Sequence, residues 1–243
     1  MRLSRVYVEG PIAGRRTIEL TGTAANHAAR VLRLRAGDPL VLFDGRGGEY
    51  RAGIETIGRN RVTVAVGQYL RADRESPVAV TLVQGISRGE RMDLVMQKAT
   101  ELGAARIIPV ATERSVVRTD KVQAQRKFEH WRSIVIAASE QCGRTRLPEI
   151  VPPLAWYDWL SKRAPEATSL LLSTRSTTPL GAALAAAATV ELLVGPEGGL
   201  SPDEESAALA AGFQAVRLGP RVLRTETAAI AALAAIQQRI GDL

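Results

Sequence analysis

The chain has 243 residues, 46% of them hydrophobic, with a formal net charge of +7, enough for one large domain or two modest ones with a buried core. One cysteine, Cys142, excludes an internal disulfide, and two histidines, His27 and His130, leave no expectation of a metal site. No apolar stretch is long enough to span a bilayer, and the start MRLSRVYVEG has no apolar signal core, so a cytoplasmic protein without a membrane segment is expected.

The first seventy residues read as β-rich. Short strand-like runs fall at Val6–Val8, Pro39–Phe43, Tyr50–Ile57 and Val62–Val66, punctuated by Gly37-Asp38, Asp44-Gly45, Gly47-Gly48 and Arg59-Asn60. A short helix is expected at Ala24–Leu34, with Thr23 as its N-cap. Closely spaced short strands suggest a small β-barrel. The polar stretch Arg71–Pro77 marks a domain boundary, giving domains 1–74 and 75–243. Charge divides at the same place. Residues 1–74 hold thirteen arginines, no lysine and seven acids, whereas the remainder holds nineteen basic and eighteen acidic residues. A positive excess confined to one end suits a polyanion, because neutralising phosphates releases counterions.

From Val78 onward strands and helices alternate. Val78–Ile86 is a continuous apolar strand. The helix Met92–Leu102 follows, with Met92, Val95, Met96 and Ala99 on one face. Ile107–Val110 is the next strand, and Asp120–Cys142 a long helix with Phe128, Trp131, Val135 and Ala138 on one stripe. Leu170–Ser173, Val190–Val194 and Ala215–Leu218 are short buried strands. Helices are expected at Pro179–Ala188, Pro202–Ala211 and Thr225–Ile240. This alternation implies a parallel sheet with helices on both faces, and ligands at the carboxyl ends of its strands.

Two loops at such ends are the candidates for chemistry. In Gly195–Leu200 (GPEGGL), glycines let backbone approach a ligand, and Ser201 with Glu204 makes a capping box behind Pro202. Glu197 and the acids Asp203, Glu204 and Glu205 make it a poor anion site, so a sugar or a positive centre fits better. In Leu218–Ala228 a buried strand runs into Gly219-Pro220, and Thr225 is a cap candidate for the final helix.

GPEGGLSPDE and RLGPRVLRTETAAIAAL together resemble the cofactor-binding segments of the SPOUT superfamily of RNA methyltransferases. The closer resemblance is to the RsmE family, the small-subunit ribosomal RNA uridine-N3 methyltransferases. SRVYV, HAARVLRLRAGD, LFDGRGGEY, QGISRGERMDLVMQKATELG, PVATERSVV and AASEQCGRTRLPEI extend it over the whole length. Ser87-Arg88 and Cys142 depart from the family pattern, which often has a lysine near the former and a small polar residue at the latter. The resemblance implies an α/β fold: a trefoil-knotted SPOUT domain with a parallel sheet, plus an N-terminal PUA-like β-barrel. It implies S-adenosylmethionine as cofactor, 16S ribosomal RNA in the 30S subunit as substrate, and a homodimer. Cofactor contacts would come from Leu172, Gly195, Pro196, Glu197, Gly198, Leu218, Gly219, Val222, Leu223, Thr225, Thr227 and Ala228.

Uridine N3 bears a proton at neutral pH, so attack needs a base or a stabilised anion. Arg224, Glu226, Arg114 and Glu140 are the candidates, and residue types alone do not choose among them. Arg2, Arg5, His27, Arg30, Arg33 and Arg35 are the RNA-contact candidates. In a regular helix His27, Arg30 and Val31 share a face. Tyr7 and Tyr50 suit base stacking or barrel packing. Ile230, Leu233, Ile236 and Ile240 give the final helix an apolar face for a core or a partner copy. A methyltransferase acting on another RNA, such as transfer RNA, and a non-catalytic ribosome-assembly protein are the alternatives.

Overall fold

The computed structural model describes residues 3–115, 121–164, 168–184 and 188–243. Two compact units emerge. One comprises residues 1–75 with 136–147, and the other 76–135 with 148–243.

The first unit is built on five strands: β1 (Ser4–Tyr7), β2 (Thr17–Thr21), β3 (Pro39–Phe43), β4 (Glu49–Ile57) and β5 (Arg61–Leu70). They pair in the order β1-β3-β4-β5-β2, with β1 parallel to β3 and the rest antiparallel. Alternate residues from all five meet in one core, including Val6, Ile18, Leu40, Ile54 and Val64. The helix differs from expectation. Helix α1 spans Gly22–Asn26 and starts after Thr21, so Thr23 lies inside it rather than capping it. It continues as a π-helical turn over His27–Val31, with Leu32 N–H donating to His27 O at 2.9 Å. The wider π turn removes the expected i, i+3 alignment of His27 with Arg30. Arg33 then stops the helix at φ +54.

Residues 136–147 complete this unit through polar bonds. Arg5 pairs with Glu49 and donates to Arg144 O at 2.8 Å. Arg74 pairs with Glu49 at 3.2 Å and donates to Gly143 O at 2.9 Å. Glu75 takes Arg144, and Gly47 N–H donates to Thr145 O. Burial works to raise the Glu49 carboxyl, but the hydrogen bonds and charges of Arg74 and Arg5 outweigh it and hold it below its ordinary value.

The second unit alternates as expected: β6 (Ala79–Gly85), α2 (Glu90–Glu101), β7 (Ala104–Ala111), α3 (Lys121–Cys142), β8 (Glu149–Ile150), β9 (Leu154–Ala155), α4 (Trp156–Lys162), β10 (Thr168–Leu172), α5 (Leu180–Ala183), β11 (Thr189–Val194), α6 (Pro202–Ala210), β12 (Gln214–Val216) and α7 (Thr225–Ile240). Helix α3 passes from this unit into the first after Val135. Asp120, the expected start of that helix, and residues 185–187 of the expected helix 179–188 lie outside the described residues. The strands form an all-parallel sheet, β12-β10-β11-β6-β7-β8, with β9 also on β7.

Its central strands are apolar runs because helices cover both faces. On one face α2, α5 and α7 pack over Leu82, Leu192 and Val216. Leu233 and Ile236 of α7 are fully buried in that core. On the other face Trp156, Trp159 and Phe213 pack in a cluster with Val83 and Leu193. Among the described residues no helix is long and apolar enough to cross a membrane, and no metal-type cluster of His, Cys, Asp or Glu occurs.

Candidate functional site

Three neighbouring strands, β10, β11 and β12, end at the same edge of the sheet, and the loops that follow them enclose a cavity of about 590 Å³. That volume suits a cofactor-sized ligand.

The β11 loop is held from several sides. Ser201 Oγ accepts from Glu204 N–H, and Glu204 Oε2 accepts from Ser201 N–H, a reciprocal capping box with Pro202 in the first helical turn. Glu204 Oε1 also accepts from Glu113 N–H at 2.7 Å. Arg114 donates to Gly198 O at 3.0 Å. Glu197 accepts from Arg88 N–H at 3.0 Å and from Arg91 at 2.9 Å. Burial works to raise the Glu197 carboxyl, but these bonds outweigh it and hold it below its ordinary value.

The end of β6 presses on this loop. A Cβ on Gly85 would lie 2.5 Å from Pro196 Cδ, so only glycine fits. Thr225, expected as a cap, is instead the first residue of α7, with Arg224 in the cap position. Its hydroxyl donates to Gly195 O at 2.6 Å and accepts from the buried Gln84 Nε2 at 3.0 Å. A helix start, a loop and a strand end thus meet at one hydroxyl. In the β10 loop, Ser173 donates to Glu205 Oε1 at 2.6 Å while Arg175 pairs with Glu205 Oε2 at 3.2 Å.

The β12 loop differs from the other two. Among the described residues, positions 218–223 make no backbone hydrogen bond. Their amides and carbonyls are open to a ligand or to water. Gly219 holds φ +126 with open space where a Cβ would stand, and Val222 is 81% exposed. At the start of α7, Glu226 is 9% exposed, and its Oε2 is buried with no hydrogen-bond partner among the described residues.

Eleven of the twelve expected cofactor residues line this cavity: Leu172, Gly195, Pro196, Glu197, Gly198, Leu218, Gly219, Val222, Leu223, Thr225 and Ala228. Thr227 does not; it points from the exposed side of α7. Arg114, Arg224 and Glu226 also line the cavity. Glu140 does not. It belongs to the first unit, where it accepts from Tyr7 N–H at 2.9 Å and faces His27 Nδ1 at 3.6 Å. Burial pushes its carboxyl up, more than the Tyr7 amide and the His27 and Arg5 charges pull it down.

Of the RNA-contact candidates, Arg30, Arg33 and Arg35 are exposed. Arg5 is not a surface contact, because the Glu49 and Arg144 bonds and the Phe43 ring 4.6 Å away enclose it. Arg2 lies outside the described residues. Tyr50 packs against Tyr69, with ring centroids 5.1 Å apart.

Reading the sequence misses Arg91, Ser173, Arg175, Glu205, Arg217 and Arg221 as lining residues. The run RLGPRVLR carries a usable signal, three arginines in eight residues beside a glycine. Ser173 carries none, since a serine after a strand is ordinary turn chemistry.

Residues 74–237 match the family model of the RNA methyltransferase domain, and residues 20–67 that of the RNA methyltransferase PUA domain. The ribosomal RNA small subunit methyltransferase E of Synechocystis sp. is 38% identical over 90% of this chain and 72% of its own length. That of Buchnera aphidicola subsp. Schizaphis graminum is 32% identical over 100% of this chain and 98% of its own. Among solved structures, the ribosomal RNA small subunit methyltransferase E of Neisseria gonorrhoeae, bound to S-adenosyl methionine, superposes with a TM-score of 0.94 at 38% identity, covering 99% of both chains.

Proposed function

The chain belongs to the RNA methyltransferase family, with ribosomal RNA small subunit methyltransferase E proteins among its full-length relatives, and from that premise we propose that it methylates N3 of one uridine in 16S ribosomal RNA, using S-adenosylmethionine. The observation that carries this reading is the cavity at the ends of β10, β11 and β12, with its hydrogen-bond-free stretch 218–223. The lining fits the cofactor. Open backbone groups suit the mixed donor and acceptor edge of adenine, and Leu172, Leu218 and Leu223 suit its faces. Glu197 bonds Arg88 and Arg91 through Oε1, which leaves Oε2 to suit ribose hydroxyls. The relative from Neisseria gonorrhoeae, solved with this cofactor, supports the same assignment.

When bound, the cofactor supplies an electrophilic methyl group on a sulfonium. The protein's residues must orient the base, exclude water and take the N3 proton. We assign the proton to Glu226, the buried cavity carboxylate with an unpartnered oxygen. Arg224 would offset the charge that grows on the uracil oxygens. Arg114, already bonded to Gly198 O, orients the β11 loop, and Glu197 is engaged by Arg88 and Arg91. Glu140 is left out of the chemistry, because its carboxylate serves Tyr7 and His27.

We also propose a trefoil knot in the second unit, as the resemblance of its two cofactor loops to the SPOUT superfamily implies. The active form would be a cytoplasmic homodimer acting in the 30S context. Leu233 and Ile236 are committed to the core, which leaves half-buried Ile230 and Ile240 as the part of α7 open to a partner. Nucleoside analysis of 30S particles incubated with labelled cofactor tests the reaction. Label in 3-methyluridine is expected. Label only in 5-methylcytidine, in a ribose methyl or in transfer RNA would overturn the substrate.

A further inference from the structure

We infer that the loop between β12 and α7 grips RNA as well as lining the cofactor cavity, with Arg217 and Arg221 taking the phosphates that flank the target nucleotide while Arg224 serves its uracil. The inference rests on the methyl-transfer reading for the identity of its ligand. Among the described residues six arginines line the cavity. Three are engaged: Arg91 with Glu197, Arg175 with Glu205, and Arg114 with Gly198 O. The other three are exposed, lie within one eight-residue stretch, and form no side-chain hydrogen bond or ion pair among the described residues.

The cofactor does not account for them. It carries a sulfonium and an ammonium against a single carboxylate, so a rim with spare positive charge is the wrong complement. Among the described residues Glu226 is the one cavity carboxylate not engaged by an arginine, and it does not balance three guanidinium groups. A polyanion brought to the cavity mouth does balance them, since each phosphate takes a guanidinium through paired N–H donors. The ligand is therefore a stretch of RNA backbone next to the reacting base. Phosphate contacts would then not be confined to the arginine-rich first 74 residues.

The test uses the full chain and an in vitro transcript of small-subunit ribosomal RNA. Affinity is measured across a salt series for wild type, for the double variant Arg217→Ala/Arg221→Ala, and for the corresponding double lysine variant. S-adenosylhomocysteine binding and Tm are measured alongside. The alanine pair should bind RNA at least about tenfold more weakly at low salt. Its slope of log K against log salt should be shallower by about 0.7 per arginine removed. The lysine pair should recover most of that slope, with S-adenosylhomocysteine affinity and Tm near wild type. Unchanged RNA affinity and slope in the folded alanine pair would overturn the inference. So would loss of S-adenosylhomocysteine binding in step with RNA binding, which would make these arginines supports of the cofactor loop. A wild-type chain that binds RNA with the expected arginine dependence but never binds S-adenosylhomocysteine would defeat the methyl-transfer reading and leave the grip standing.

Discussion

Glu226 and Glu49 are both buried carboxylates, and their partners separate their roles. Glu49 sits between Arg5 and Arg74, whereas Glu226 has an unpartnered oxygen beside a cavity. A paired buried carboxylate is structural, and an unpaired one at a cavity is available for chemistry. Glu226→Gln keeps the shape and removes the proposed base. Single-turnover rates should fall about 100-fold or more, while calorimetry should find cofactor affinity near wild type. Glu49→Gln leaves Arg5 and Arg74 short of a charge and should cost about 2–4 kcal/mol at pH 7. The Glu49 carboxyl is depressed on folding, so its stabilisation is present above the unfolded value and is lost as pH falls through the lower folded value. Glu140 carries the opposite sign: its penalty is complete above the raised folded value and relieved below the unfolded one. Denaturant melts of wild type should therefore show an acid limb below about pH 4. That limb should flatten in Glu49→Gln. The pairing of Glu49 was not legible in the sequence, because Arg5 lies 44 residues from Glu49 and 139 from Arg144.

Elements were legible where a repeating pattern outlasted a few residues. Strands β6 and β11 are apolar runs, and α7 repeats small and branched residues over four turns, so all three could be read directly. Strand β2 escaped because TIELT exposes Thr17, Glu19 and Thr21 and buries only two side chains. Helix α4 escaped because seven residues are too few to show a helical period, although Trp156 and Trp159 anchor one face of the sheet. The capping box of α6 was legible as Ser-Pro-Asp-Glu, and Ser201→Ala should lower stability by about 1 kcal/mol in thermal melts. Glu204→Ala should cost more, because it also strips the acceptor from Glu113 N–H. The loop from 218 to 223 was legible as glycine and charge, but its missing backbone bonds were not. A segment so weakly tied is ordered by whatever binds it. S-adenosylhomocysteine should therefore tighten RNA binding by about fivefold or more, and RNA should tighten S-adenosylhomocysteine binding equally, as linkage requires. Equal RNA affinity with and without S-adenosylhomocysteine would show that the loop is already set.

At the scale of the whole molecule, the first compact unit takes residues 1–75 and borrows a segment from well beyond them. Residues 136–147 supply carbonyl acceptors for Arg5 and Arg74, a partner for Glu75 and the Glu140 carboxylate for Tyr7 N–H. A fragment of residues 1–75 would take one carbonyl acceptor each from Arg5 and Arg74, remove the Glu75 partner and leave the Tyr7 amide without its acceptor. It should give a poorly dispersed proton NMR spectrum and no cooperative melt. Dispersion equal to that of the full chain would show the later segment to be dispensable. The same interruption sets an order on synthesis. As the chain leaves the ribosome, its amino-terminal strands emerge first but cannot finish closing until residue 147 has cleared the exit tunnel. In the interval β6, α2 and β7 are already outside, and their own sheet still lacks β10, β11 and β12. Neither half can mature alone while the other waits. A nascent chain of this kind holds apolar strand edges open for most of its translation, a window in which chaperone capture or a pause in elongation bears directly on yield.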